Sequence, residues 1–251
     1  MAHSEQQTLA EEHTPWAIRA RLDAATRHSY LRDFVIGAMD GAVTTFAIVA
    51  GVAGAGLSSA VAIVLGLANL LADGFSMAAG NYLSTRTERE LVDRARRLEE
   101  RHIEQIPAGE REEVRQIFAA KGFAGDLLEE VVRTITQDRR RWVDTMLTEE
   151  HGLRLESPSP AKAATVTFAA FCVAGAVPLL PLVLVDARHA DAVFAASSIA
   201  TAVTFLLIGL FKGRVLGQSL WFVALETLAI GACAAAMAFA VGHLLRGWIG
   251  A

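Results

Sequence analysis

The sequence predicts an all-α polytopic membrane protein, with five transmembrane helices and a charged helical insert between the second and third. Two observations predict it. Of 251 residues, 53% are hydrophobic, too large a share for a soluble domain whose polar residues are evenly spread. The charges are also partitioned: Arg86 to Lys162 hold 15 of the 23 Lys and Arg and 17 of the 27 Asp and Glu. A bilayer imposes such segregation, because a charged side chain facing lipid is costly unless it finds a partner.

A span needs roughly 20 mostly apolar residues to cross a hydrocarbon core about 30 Å thick. Five segments qualify: Phe34 to Gly56, Ser59 to Leu83, Ala163 to Val185, Ala190 to Phe211, and Gln218 to Leu245. Only Gly56, Leu57 and Ser58 separate the first two, which predicts a tight antiparallel hairpin. The resulting division is a polar segment (1–33), spans one and two (34–85), the insert (86–161) and spans three to five (162–251). Pro178 and Pro181 predict a kink in the third span.

Lys and Arg near the span ends set the orientation. Arg19, Arg21, Arg27 and Arg32 precede the first span, the insert follows the second, and Lys212 and Arg214 are expected between the fourth and fifth. These fall on one side, the cytosolic one. The other side has no charge at Leu57 to Ser59, then Arg188 near His189, and Arg246. The N-terminus is thus expected inside and the C-terminus outside. Glu5, Glu11, Glu12 and Asp23 make the first 33 residues too polar for a signal peptide. Trp16, Ile18, Leu22 and Tyr30 interspersed with arginines suit an interfacial helix, with a solvated helix as the alternative.

In the insert, the second span is expected to continue to about Ile106, break at Pro107-Ala108-Gly109, and give way to a helix from Glu110 to Lys121. Gly122 reads as a C-cap, and Asp126 and Asp138 as N-caps of two more helices. Ser157-Pro158-Ser159-Pro160 then ends the domain.

Composition also excludes classes of function. Net charge is −4 and no basic block pairs with aromatic residues, so nucleic acid is not the expected partner. Cys172 and Cys233 lie in apolar runs and read as packing residues. No phosphate-binding Gly-rich loop with a following Lys is present, which removes support for an ATP-driven pump.

The chemistry is expected where acids enter the membrane, since intramembrane carboxylates are functional by default. Counted inward at 1.5 Å per residue, Asp40, Asp73 and Met77 all lie on the order of 10 to 15 Å deep. Asn69, Asp73, Met77 and Asn81 recur every fourth residue and share one face of the second helix. Gly37, Asp40, Gly41 and Thr44 give the first helix a small, polar face that permits close approach. Carboxylates, an amide, a hydroxyl and a thioether would then converge on a path suited to softer divalent ions such as Fe²⁺. The plainer alternative is that Met77 only packs and Asp73 caps or pairs with a neighbour. Glu226, two turns into the fifth span, either carries protons or pairs with Lys212 or Arg214.

In the insert, Glu100 and Glu104, Glu110 and Glu113, and Met146 and Glu150 stand at helical contact spacing. Each pair shares a face that suits a divalent transition metal or, equally, a solvated surface balanced by Arg96, Arg97, Arg101, Arg111 and Arg115. One Glu-x-x-His, Glu99 to His102, matches half of a ferritin-like di-iron motif, which needs two copies.

The stretches Arg32-Asp33-Phe34-Val35-Ile36-Gly37-Ala38-Met39-Asp40-Gly41 and Ala72-Asp73-Gly74-Phe75-Ser76-Met77-Ala78-Ala79-Gly80-Asn81-Tyr82-Leu83 resemble the vacuolar iron transporter family. The resemblance covers nearly the whole chain from about His28. It implies a homodimer of five-span subunits that exports Fe²⁺, often with Mn²⁺, from the cytosol in exchange for protons. The metal is cargo, with no permanently bound cofactor, and lipid is the other partner. The resemblance also implies that Asp40 and Met77 line the path and that cytosolic glutamates and methionine bind metal. Pro107-x-x-Glu110-x-x-Glu113 and Trp142-x-x-x-Met146-x-x-x-Glu150 match the latter.

Departures are visible. Asn69 stands where some members carry Glu, and Leu147 replaces a second methionine. The first acidic pair aligns variously among Glu99, Glu100, His102 and Glu104, of which Glu100 and Glu104 are taken. The expected membrane is a bacterial-type inner membrane. The rival readings are a membrane-anchored metal buffer or sensor, and a proton-coupled carrier of a small organic solute.

Overall fold

The computed structural model describes residues 11, 13–25, 29–155, 158–184 and 190–249. Glu5, Glu12, Arg27, Ser157, Val185, Arg188 and His189, on which parts of the reading above rest, lie outside the described residues. Among the described residues every regular element is helical, and five helices are long and apolar enough to cross a membrane. The chain is an all-α integral membrane protein. It divides into two compact units: residues 30–83 with 160–251, and 84–159 with the residues before Tyr30.

The first unit holds the spans. Helix α1 (Pro15–Ala25) precedes it, with Trp16 and Leu22 exposed, and Tyr30 lies beyond that helix. The first span is α2 (Leu31–Gly54), followed by α3 (Ser59–Gln105). Between them Gly56, at φ +73°, closes the turn: its N–H donates to Ala53 and that of Leu57 to Val52. This is the left-handed helix ending that glycine adopts without a Cβ penalty. The third span, α7 (Pro160–Ala176), passes through a 3₁₀ turn (Val177–Leu179) into α8 (Leu180–Leu184). The expected irregularity therefore falls at the two prolines, where the missing N–H groups interrupt the helical ladder. Pro160 opens α7 at a position where proline is tolerated, so this helix starts three residues earlier than expected.

The last spans are α9 (Ala190–Leu216) and α10 (Leu220–Ile249). Lys212 and Arg214 fall inside the last turns of α9, not in the connection as expected. Cationic side chains there complement the helix C-terminus, so the helix need not stop at the last apolar residue.

Helix α2 packs most closely on α7 and α10, and the fit is backbone to backbone. A Cβ added at Gly37 would lie 2.4 Å from the Thr167 carbonyl oxygen, at Gly41 2.2 Å from that of Phe171, and at Gly242 2.1 Å from that of Gly51. The glycine face of the first helix is thus filled within the same chain. Helix α3, despite the short turn, meets its neighbours through side chains, with Leu70 joining Phe46, Phe171 and Leu179 in one apolar cluster. Its outer face leaves Val64, Leu67, Leu71 and Phe75 exposed.

The second unit is the insert. Helix α3 is continuous over 47 residues and ends at Gln105. Pro107 then starts α4 (Pro107–Ala120), so the chain breaks at Ile106, and Ala108 and Gly109 are helical rather than part of the break. Proline at the first helical position loses no intrahelical bond, which is why the break precedes it. Gly122, at φ +94°, ends α4, with Gly122 donating to Ala119 and Phe123 to Phe118.

Helix α5 (Gly125–Thr136) is capped by Ala124, and Asp126 lies in its first turn instead of capping it. An acid there still complements the helix N-terminus. Asp138 caps α6 (Arg139–Glu149) as expected, accepting from the Arg141 N–H at 3.0 Å. Val114, Leu128, Val132, Ile135, Trp142 and Met146 form the core of the insert.

Candidate functional site

Two groups of residues are candidates for chemistry, one in each unit. In the membrane unit, α2 carries Asp40, which is half-buried, and α3 carries Asp73. Thr44 Oγ1 donates to the Asp40 carbonyl at 2.8 Å and accepts from Asn69 Nδ2 at 3.1 Å, so the hydroxyl and amide expected on the path are joined. Met77 packs against the cluster containing Phe46 and Phe171. Asp73 is exposed on the single chain. One turn beyond Met77, Asn81 donates to Asp33 Oδ1 at 2.9 Å and Thr167 Oγ1 at 2.8 Å. This ties the end of the polar face to the first and third spans. Glu226 lies 3.8 Å from Lys212, the pairing alternative of the two weighed for it. Cys172 donates weakly to the Leu70 carbonyl, and neither cysteine is in a disulfide.

In the insert the acids sort differently from the sequence pairing. Glu104 pairs with Arg139, whose guanidinium also donates to the Glu100 carbonyl at 3.3 Å. The structure leaves both glutamates outside the densest group of ligand atoms. That group is built from Glu99, which is 1% exposed, Glu110, which is 4% exposed, Glu150 and two histidines. Glu99 Oε1 lies 2.9 Å from His151 Nε2, and Glu110 Oε1 lies 3.2 Å from His102 Nδ1. Glu99, Glu150 and His151 form one triad and Glu99, His102 and Glu110 another, each with its ligand atoms within 4.8 Å of one another. The second oxygens of Glu99 and Glu110 are buried without a hydrogen-bond partner. Unpaired buried carboxylate oxygens are costly, and a cation is what such a pair of oxygens accommodates.

Glu113 is exposed, but its charge reaches Glu110 and Glu150. Met146 is fully buried in the apolar core beside Leu147. The sequence pattern gives no sign of His151, and it offers Glu99 and His102 both as part of a di-iron motif and among the alignments of the first acidic pair, for which Glu100 and Glu104 are taken. His151 lies past the end of α6, where Gly152 at φ +63° turns the chain, so helical spacing says nothing of it.

The crowding of acids shows in their proton affinity. Burial, then the charges of Glu99 and Glu113, push Glu110 up to about 7. Burial and then Glu99 raise Glu150 as well. His151 is raised by its hydrogen bond to Glu99. All three hold protons in the folded chain that the unfolded chain has already released. Linkage then gives stability that is present at low pH and lost as pH rises through about 7 for Glu110 and through the raised value of His151. Metal-free protein is expected to melt on the order of 5 °C lower at pH 8 than at pH 6, with saturating Mn²⁺ removing the difference. A melt that rises with pH over this range would contradict the crowding argument.

Five helices long and apolar enough to cross a membrane define an integral membrane protein. Comparison with known proteins identifies it more closely: the chain belongs to the VIT family, which matches residues 31–243. It is similar to the vacuolar iron transporter of Toxoplasma gondii (strain ATCC 50861 / VEG), at 35% identity over 90% of this chain and 78% of the relative. It is also similar to vacuolar iron transporter 1 of Arabidopsis thaliana, at 32% identity over 96% of this chain and 94% of the relative. Vacuolar iron transporter 2 of Oryza sativa subsp. japonica is 32% identical over 96% of this chain and 95% of the relative. A transporter family, with relatives named for iron, supports metal transport over enzymatic activity. The relatives are named for the vacuole, and the bacterial-type inner membrane draws no support from them.

Proposed function

We propose that this protein exports Fe²⁺, and Mn²⁺ with it, from the cytosol by exchange for protons, and that it works as a homodimer. The observation that carries the reading is that two carboxylates, Asp40 and Asp73, stand within adjoining membrane spans that are linked by the hydrogen bond from Asn69 to Thr44. A divalent ion crossing a low-dielectric layer needs anionic oxygens to replace its water, and these supply two. Protons and metal compete for the same oxygens, so protonation from the far side releases the ion and resets the path. The glutamate and histidine group of the insert collects the metal, and the Lys and Arg distribution puts that insert in the cytosol. With five crossings, the two termini would then lie on opposite sides.

Support for a dimer comes from Asp73 itself. An exposed carboxylate within a span is costly against lipid, and a second copy packed against α3 at Asp73 would cover it. The test is flux into proteoliposomes under an imposed pH gradient, comparing Fe²⁺ and Mn²⁺ with Mg²⁺. Gradient-dependent Fe²⁺ or Mn²⁺ flux with little Mg²⁺ flux is expected. Flux indifferent to the gradient removes the antiport. Metal binding without flux selects the second reading, a membrane-anchored buffer or sensor, which the buried carboxylate group of the insert would serve equally well.

A further inference from the structure

The metal-collecting group is not a purely acidic one. Each of its two triads contains an imidazole nitrogen placed among carboxylate oxygens: His151 Nε2 with Glu99 and Glu150, and His102 Nδ1 with Glu99 and Glu110. The carboxylates they face are nine-tenths or more buried at Glu99 and Glu110, and each of these leaves one oxygen unpartnered. The histidines themselves are reachable, with 41% of the His102 side chain and 28% of that of His151 exposed. An ion entering from solvent meets the imidazoles on the way to the buried oxygens.

Resting on the metal-handling reading of this group, we propose that His102 and His151 are metal ligands, so that the insert is a mixed imidazole and carboxylate site selective for Fe²⁺, Co²⁺ and Zn²⁺ over Mn²⁺ and Mg²⁺. Imidazole nitrogen is a borderline-soft donor that suits the later first-row ions, whereas carboxylate, carbonyl and water suit Mg²⁺ and Mn²⁺. A site of glutamates alone would separate these ions little. Two nitrogens add a preference that grows along the series from Mn²⁺ to Co²⁺. The rival account is that the histidines are charge partners that neutralise the carboxylates until metal arrives. In that case they leave the site when the ion binds and contribute nothing to selectivity.

The two accounts differ in what a bound ion touches. With full-length protein in detergent, pulsed electron paramagnetic resonance of bound Mn²⁺ is expected to show ¹⁴N coupling from imidazole. In the double variant His102→Gln, His151→Gln that coupling is expected to vanish, and the Co²⁺ to Mn²⁺ affinity ratio to fall at least about tenfold, the scale of losing ligand-shell donors. Mn²⁺ bound without nitrogen coupling in the unaltered protein overturns the assignment, whatever the variants do. An unchanged ratio in a double variant that still binds metal also overturns it. Failure and success here are separate from transport. Protein that moves Fe²⁺ but shows no nitrogen coupling refutes only the histidine ligands, and protein with the coupling but no flux refutes only export.

Discussion

Glu99→Gln is expected to lower Mn²⁺ and Co²⁺ affinity of the full-length protein by about 100-fold, read by calorimetry or by Co²⁺ absorption. Glu99 is the one residue common to both triads, and its substitution removes a charged oxygen from each. The loss should not come from unfolding. Glu99 is almost fully buried, its charge raises the proton affinity of Glu110 and Glu150, and glutamine keeps a group able to bond His151. Removing a buried, partly unpaired negative charge relieves that repulsion, so the metal-free variant should melt no lower than the unaltered protein. Loss of binding with a raised or unchanged melting temperature supports the site. Binding within about threefold of the unaltered protein would move the metal elsewhere, to Glu100 and Glu104 first.

The second large effect is expected in the membrane. Asp40→Asn should reduce Fe²⁺ flux in proteoliposomes by about 100-fold or more, while Mn²⁺ binding by the insert stays as it was. The amide preserves size and hydrogen bonding but offers the ion no charge where the dielectric is lowest. Asp73, on the adjoining span, stays in place as the remaining carboxylate. The comparison that isolates the pathway is Thr44→Val, which breaks the link between Thr44 and Asn69 without touching a charge and should cost far less. Intact flux in Asp40→Asn would remove the path from this pair of helices.

The spans were legible because lipid restricts composition over some 20 residues at a time, a signal too long to mistake. Their ends were less so. Lys212 and Arg214 read as a loop because they are charged, yet helix geometry continues through them to Leu216. Pro107 read as a break, and the break fell one residue before it. The polar face from Asn69 to Asn81 was legible because spacing along a single helix determines it. The cluster in the insert was harder, because its side chains come from three places in the chain: Glu99 and His102, Glu110, and Glu150 with His151. Spacing pairs Glu100 with Glu104 correctly as neighbours on one face but does not say which face turns inward. Met146 illustrates the same limit from the other side. It shares an apolar stripe with Val143 and Leu147, and the structure uses all three as core.

The glycine contacts of the first helix decide which part of the membrane unit can act as machinery. Helices that touch backbone to backbone, as α2 does with α7 and α10, cannot slide or tilt without carbonyl oxygens colliding, so these three make a fixed frame. Helix α3 is held by side chains alone, and side chains change rotamer at little cost. Asp40 therefore sits on a helix seated backbone to backbone, and Asp73 and Met77 on one seated through side chains. Enlarging a side chain is thus expected to be absorbed more readily along α3 than along the glycine face of α2.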